Sequence, residues 1–509
     1  MRTLLLSVAL AIVSLAADAG YRRGDLLWTG GMEESGRAAG VWAAKEGSDG
    51  RGALHFAGKG PNAGSRMVSL EIDAAKVAGR RVFVEAHVRG TDLQPGTRHF
   101  HGPKVMLAYV CADGRKGFPQ VPAEFGSFDW KTWVLVTQVP KGVVKARLVL
   151  GVECAGGELW VDEAHVYEAV ELPPGVKPAA PPNPQADAIP RGPYAAAPRK
   201  GGWRGVMSPG REMTEDDFRT LKAWNANLIR LQVQLPKAAR SGTDEEYLAA
   251  LDAKLPMIDR TFALCRKYGM KAVLDLHAGP TEANNLMGNT IRADFRTGLL
   301  AAAWRKLAAR YRDEPCVYGY DILNEPATSP EKWDVIFRAV VAEIRKIDPK
   351  TPVITESKLD FYPDENVIYS PHFYSPHALT HFGVGANRIR WSYNDYINGV
   401  FWNRDQIRLA LKPWIDFQRR HPGVRLFVGE FSCNLWVDGS AEWIADAIAI
   451  FEEYGWDWTY HAFREWPPWD VEKECDPGVE PKCRLIRDAA SDTDRKRALL
   501  AGLSRNPKS

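Results

Sequence analysis

The sequence predicts a two-domain protein, an α/β chain whose (β/α)8 barrel is preceded by an all-β sandwich. Three observations carry this reading. After residue 202, β-type apolar runs alternate with longer helical patterns; before residue 171, short alternating runs are separated by turns; between the two lies a proline- and alanine-rich stretch. At 509 residues the chain also exceeds what one hydrophobic core supports.

The first element, residues 1–19, reads as a secretory signal peptide: Arg2, an apolar run from Leu4 to Ala16, and the small-residue pattern Ala17-Asp18-Ala19. The run is shorter than the roughly twenty residues that a membrane-spanning helix needs. Cleavage is expected after Ala19, with export to the periplasm or out of the cell.

Residues 20–170 carry the runs Arg81 to Val88, Lys104 to Val110, Trp133 to Val139 and Ala146 to Val152, set off by Gly, Pro and Asp, which is the pattern of a β-sandwich. The last run, Gly157 to Tyr167, resembles the closing strand of jelly-roll carbohydrate-binding modules, a resemblance that covers that strand alone. It makes Trp28, Trp42 and Trp130 candidates for stacking on a sugar ring, although a tryptophan in a sandwich is more often core. Residues 171–201, with Pro173-Pro174, Pro181-Pro182 and Pro184, are expected to be a semi-extended linker.

In residues 202–509 eight strands are expected: Arg204 to Ser208, Ala226 to Val233, Lys271 to Ala278, Val317 to Pro326, Pro352 to Ser357, Val367 to Tyr374, Arg425 to Phe431 and Trp458 to Trp466. Between them lie helical patterns. Thr214 to Asn225 opens on the capping pattern Thr214-x-x-Asp217, and Asp244 to Tyr268 stops at Gly269. The connection Lys358 to Asn366 is too short for a normal helix. Eight such units still favour a closed barrel, in which chemistry sits at the carboxyl ends of the strands.

Composition narrows the partners. With 45% hydrophobic and 25% charged residues and a net charge of +3, nothing points to nucleic acid or an acidic membrane surface. Seven cysteines is an odd number; Cys475 and Cys483 flank a loop that a disulfide would staple, and Cys111 and Cys154 are a second candidate pair. No cysteine and histidine cluster has zinc-ligand spacing.

Two segments carry chemistry. Tyr320-Asp321-Ile322-Leu323-Asn324-Glu325-Pro326 ends the fourth strand on an amide, a carboxylate and a proline, and Leu426-Phe427-Val428-Gly429-Glu430-Phe431 ends the seventh on a carboxylate. Strands four and seven lie nearly opposite across an eight-stranded barrel, so their carboxylates would face each other about 5 Å apart, the separation of a retaining glycoside hydrolase. One carboxylate attacks the anomeric carbon. The other, its pKa expected to be raised at rest, protonates the leaving oxygen and later activates water.

These residues resemble family 5 of the glycoside hydrolases, the cellulase and mannanase group, over roughly Trp203 to Trp469. The resemblance implies that Glu325 is the acid/base and Glu430 the nucleophile, both catalytic. It also aligns Arg230, His277, Asn324, His372, Tyr374 and Trp466 as substrate-binding or orienting residues. Arg230 would hold a carboxylate, Glu430 first, ionised by a charge-assisted bond. Asn324 would bond the sugar 2-hydroxyl. Tyr374 resembles the tyrosine that donates to the nucleophile, and His277 and His372 the histidines that bond sugar hydroxyls or orient the carboxylates. Trp466 is the expected stacking platform, with Trp456, Trp458 and Trp469 as competitors. Two features depart from the pattern: Phe431-Ser432-Cys433 stands where many relatives carry a glycine near Ser432, and the fifth βα unit is abbreviated.

The expectation is an exported, monomeric glycosidase acting on a polysaccharide or oligosaccharide without metal or organic cofactor, with β-1,4-glucan as first substrate and β-mannan as second. The rivals are an exo-acting β-glycosidase, in which His377 to Trp402 walls off one end of the cleft, and a non-catalytic carbohydrate-binding protein on a barrel.

Overall fold

Apolar strands that are buried on both faces must be covered by helices, and the carboxyl-terminal part of the chain meets that demand by closing a parallel sheet on itself. The computed structural model describes residues 21–507 except 31, 49–50, 61–63, 99, 122, 172–182, 193–201, 282–288, 292–294, 357–360, 363–365, 385–390, 398–399 and 476–485. The signal segment and Cys483 lie outside the described residues, as does most of the short fifth connection.

Eight parallel strands form the barrel: β1 (Arg204–Met207), β2 (Leu228–Gln232), β3 (Lys271–Asp275), β4 (Val317–Asp321), β5 (Val353–Glu356), β6 (Val367–Ser370), β7 (Arg425–Val428) and β8 (Asp457–Tyr460). They pair in chain order, and β8 returns to β1 with Trp458 opposite Arg204. Leu228, Val273, Tyr318, Ile354, Ile368 and Phe427 fill the interior. Polar side chains near the carboxyl ends are thereby lifted toward the open mouth.

Local chemistry explains the boundaries. Thr214 caps the helix Glu215–Ala223 in a capping box with Asp217. The pattern Asp244 to Tyr268 forms two helices, Asp244–Asp252 and Leu255–Tyr268, where one is expected. Pro256, which has no N–H, stands in the first turn of the second helix, where none is needed. Gly269 ends it with φ +70. The expected sixth strand also divides. Pro371 interrupts it, and His372–Phe373 pairs instead with Glu430–Phe431 beyond Gly429. The eighth strand stops at Tyr460; Arg464 adopts a positive φ of 51°, so Trp466 comes from a loop.

The chain divides into two compact units, residues 1–182 with 394–402, and residues 183–393 with 403–509. In the first, an antiparallel sheet contains Tyr21–Thr29, Trp42–Ala43, Ala53–Lys59, Arg81–Gln94, Gly126–Gln138 and Gly156–Glu171. A second contains Arg66–Ile72, Gly102–Cys111, Lys116–Gly117 and Val143–Glu153. Their inward residues, among them Val68, Leu70, Val84, Leu107, Leu148 and Leu159, share one core. Trp28 and Trp42 pack against that core, and Arg89 lies over the Trp130 ring 5.3 Å from its centre. Cys111 and Cys154 are both free thiols, not a disulfide.

Part of the stretch expected to be linker is packed. Residues 184–187 form a helical turn, Ala186 and Ile189 are buried, and the Tyr454 hydroxyl donates to the Pro190 carbonyl at 3.1 Å. Proline spacing alone reads as extended; Ile189 and Ala186 supply an apolar face that it does not register.

Candidate active site

A cavity of about 980 Å3 opens at the carboxyl ends of the barrel strands, lined among others by His277, Asn324, Glu325, Tyr374, Glu430 and Trp466. Its floor is built around Arg230, from β2, fully buried and ringed by carboxylates. Its Nη1 donates to Glu430 Oε1 at 2.7 Å, Nη2 to Glu356 Oε1 at 2.7 Å and to Asn324 Oδ1 at 3.0 Å, and Nε to Asp321 at 3.0 Å. Asp275 stands 3.3 Å away. One guanidinium does not neutralise four buried carboxylates. Accordingly burial, with the charge of Glu356, pushes Asp321 well above the usual carboxylate range.

Glu430 is held at both oxygens. Beside the Arg230 bond to Oε1, Oε2 accepts from the Tyr374 hydroxyl at 2.8 Å, and His461 Nδ1 lies 3.3 Å from it. Burial raises its pKa, but the charges of His372, His461 and Arg230 prevail and hold Glu430 well below the usual range. It is an ionised carboxylate in a cationic cradle.

Glu325, just past β4, is different. Its φ is +43, a conformation that a side chain rarely adopts, and its backbone N–H is captured by Glu356. Its Oε1 meets His372 Nδ1 at 2.9 Å. Burial raises the Glu325 pKa, yet the hydrogen bond and charge of His372 more than reverse this, and the carboxyl lies below its ordinary value. Burial lowers that of His372, but Glu356, Glu430 and Glu325 carry it well above its ordinary value. The expectation of a raised carboxyl at rest is therefore corrected: the proton rests on His372, because three carboxylates surround its ring.

The remaining predicted residues fall around this pair. His277 Nδ1 is bonded to Asp275 at 2.7 Å, which fixes its ring on the cavity wall. Trp466 is half-buried on the same wall, edge-on to Trp469. Trp469 itself stacks on Tyr374 with ring centres 5.1 Å apart and donates its indole N–H to the Thr380 carbonyl. Sequence reasoning missed Glu356, His461 and Glu465. Glu356 ends an apolar run, Val353-Ile354-Thr355-Glu356, by the signal that marks Glu430.

One carboxylate oxygen each from Glu325 and Glu430 and a ring nitrogen of His372 lie within 4.8 Å of one another. Such a group is close enough to share a cation, but Arg230, His461 and the protonated His372 already supply positive charge there.

A parallel barrel with two carboxylates converging on the cavity at its mouth, one of them embedded in cations, is an arrangement able to cleave glycosidic bonds. A sequence model of the cellulase family, glycosyl hydrolase family 5, matches residues 195–464, and the chain belongs to that family. It is an enzyme that hydrolyses O-glycosyl bonds. The chain is 26% identical to endoglucanase C of Acetivibrio thermocellus over 301 residues, 49% of this chain and 84% of the relative. It is 25% identical to cellodextrinase A of Ruminococcus flavefaciens over 300 residues, 52% of this chain and 84% of that one. Among solved structures, an endoglucanase of Pseudomonas stutzeri aligns with a TM-score of 0.46 and 20% identity, over 60% of this chain and 96% of that one. No helix among the described residues is long and apolar enough to cross a membrane.

Proposed function

We propose that the protein is an exported, retaining β-1,4-glucanase that works by double displacement, with Glu430 as nucleophile and Glu325 as acid/base. The observation that carries this is the closeness of the two carboxylates, oxygens within 4.8 Å. Retaining enzymes hold their carboxyls about 5 to 5.5 Å apart and inverting ones roughly 6.5 Å or more, to admit water. Attack by Glu430 forms the glycosyl-enzyme while Glu325, taking the proton that rests on His372, protonates the departing oxygen; Glu325 then activates water for the second displacement. Arg230, Tyr374 and His277 hold the carboxylates and sugar in register. Asn324 meets the 2-hydroxyl. Trp466 serves as platform, since one face of its competitor Trp469 is taken by Tyr374. The relatives named endoglucanase and cellodextrinase support a β-glucan as substrate. Residues 20–170 form a separable sandwich domain.

Proton NMR of the first-formed product tests the mechanism. The β-anomer is expected from a β-substrate, and an initial α-anomer excludes double displacement at Glu430. Product sizes from soluble cellulose derivatives, mannan and mixed-linkage glucan test the substrate; early oligomers of several lengths are expected from the first and last, whereas a single small sugar indicates exo action.

A further inference from the structure

We propose that His461, braced by Glu465, is a positioning residue for the nucleophile: it keeps the single proton of the Tyr374 hydroxyl directed at Glu430. This rests on the reading of Glu430 as nucleophile. His461 follows the last residue of β8 and is turned into the cavity wall. Its Nδ1 lies 2.8 Å from the Tyr374 hydroxyl and 3.3 Å from Glu430 Oε2, and its Nε2 lies 3.2 Å from Glu465 Oε2. Glu465 is anchored from the other side, where Gln232 Nε2 donates to both of its oxygens at 3.1 Å.

A phenol has one proton to give. If Nδ1 is bare, two acceptors compete for it, Nδ1 and Glu430 Oε2. If Nδ1 carries hydrogen, it donates to the phenol oxygen, and the Tyr374 proton is left with Glu430 as its acceptor at 2.8 Å. An ionised Glu465, which only accepts, demands hydrogen on Nε2 as well. Only the imidazolium satisfies both neighbours. In line with that geometry, although burial lowers the His461 pKa, the charge of Glu430 and the hydrogen bonds to Glu430 and Glu465 raise it to about 9.

The groups facing this ring are Glu430, Tyr374 and Glu465, with the Trp469 ring 5.1 Å away and His381 beyond it. Arg230 and His372 are the other cations around Glu430. Tyr374 is pushed well above its ordinary value of 10 by burial and by Glu430, so its own ionisation does not intervene.

The sign follows. The imidazolium is the working form, so activity is lost as pH rises through the His461 pKa, and a neutral residue at 465 brings that loss to lower pH. The measurement is the pH profile of kcat/KM on a dinitrophenyl β-glycoside, whose leaving group departs without a proton from Glu325. The wild-type enzyme should show an alkaline limb, and Glu465→Gln should move it acidward by about one pH unit. His461→Gln, which cannot titrate, should lose the limb and run at a lower level throughout. An unmoved limb in Glu465→Gln, or an equal loss at every pH, overturns the proposal. The underlying reading fails differently: Glu430→Ala would then retain turnover, whatever the limb does.

Discussion

Glu325 and Glu430 carry the same functional group in opposite surroundings, and that difference sets what removing each should do. Glu430 has both oxygens tied, by Arg230 and Tyr374, whereas the Glu325 side chain is 45% exposed and bonded to His372. If Glu325 protonates the leaving oxygen, Glu325→Ala should be severe for natural sugars but spare the first step with dinitrophenyl glycosides, which then stall at the glycosyl-enzyme. Added azide should restore turnover and give a β-glycosyl azide. Glu430→Ala, unable to form that intermediate, should give the α-azide if rescued at all; the opposite stereochemistry would reverse the two roles. Both carboxylates were legible because each ends an apolar run on an acid where packing asks for none. The His372 contact that holds the resting proton was not, since it joins residues 47 positions apart. His461 was hidden by the placement of the eighth strand end at Trp466: apolar content continues past Tyr460, and the positive φ of Arg464 that turns the chain leaves no periodic trace.

Two adjacent barrel strands break one residue before a residue of the site, β6 at Pro371 ahead of His372 and β7 at Gly429 ahead of Glu430, and the resumed segments pair with His372 opposite Glu430. Gly429 allows this: a Cβ there would stand 2.7 Å from Ser370 Oγ and 2.9 Å from His372 Nε2. Gly429→Ala should therefore push His372 off both carboxylates. A loss of about 10- to 100-fold in kcat is expected from displacement on the ångström scale, with about 1 to 3 kcal/mol of destabilisation from overpacking. Gly298→Ala, where a Cβ meets nothing within 4 Å, is the control and should leave kcat unchanged. Wild-type kcat in Gly429→Ala with a lowered melting temperature would mean that this crossing only packs the strands. All eight barrel strands were legible as apolar runs, and the Thr214 cap by its spacing to Asp217. The breaks at Pro256 and Pro371 were not read because apolar periodicity runs through both, although each proline lacks the N–H that a continuous element would use.

At the scale of the whole chain, the proline-rich stretch marks the boundary between units, but its second half belongs to the barrel unit, which begins at Asn183. Ala186 and Ile189 are buried, Asn183 Oδ1 caps the Ala186 N–H at 3.1 Å, and Tyr454 donates to the Pro190 carbonyl at 3.1 Å. Among the described residues, those lining the cavity at the barrel mouth all belong to the barrel unit. A chain beginning at Asn183 should therefore fold and hydrolyse small soluble β-glycosides at a rate near that of the full protein. A chain beginning at Gly202 should be less stable, because it bares the site that Ile189 fills, a burial worth about 1.5 to 3 kcal/mol, and leaves the Tyr454 hydroxyl without its carbonyl partner. Melting temperatures of the two chains, measured beside kcat on an aryl cellobioside, decide this. The shorter chain should melt lower with an unchanged kcat at a temperature where both are folded. Equal melting temperatures would show that residues 183–192 add nothing to the barrel, and an inactive Asn183 chain would show that residues 1–182 support the catalytic unit.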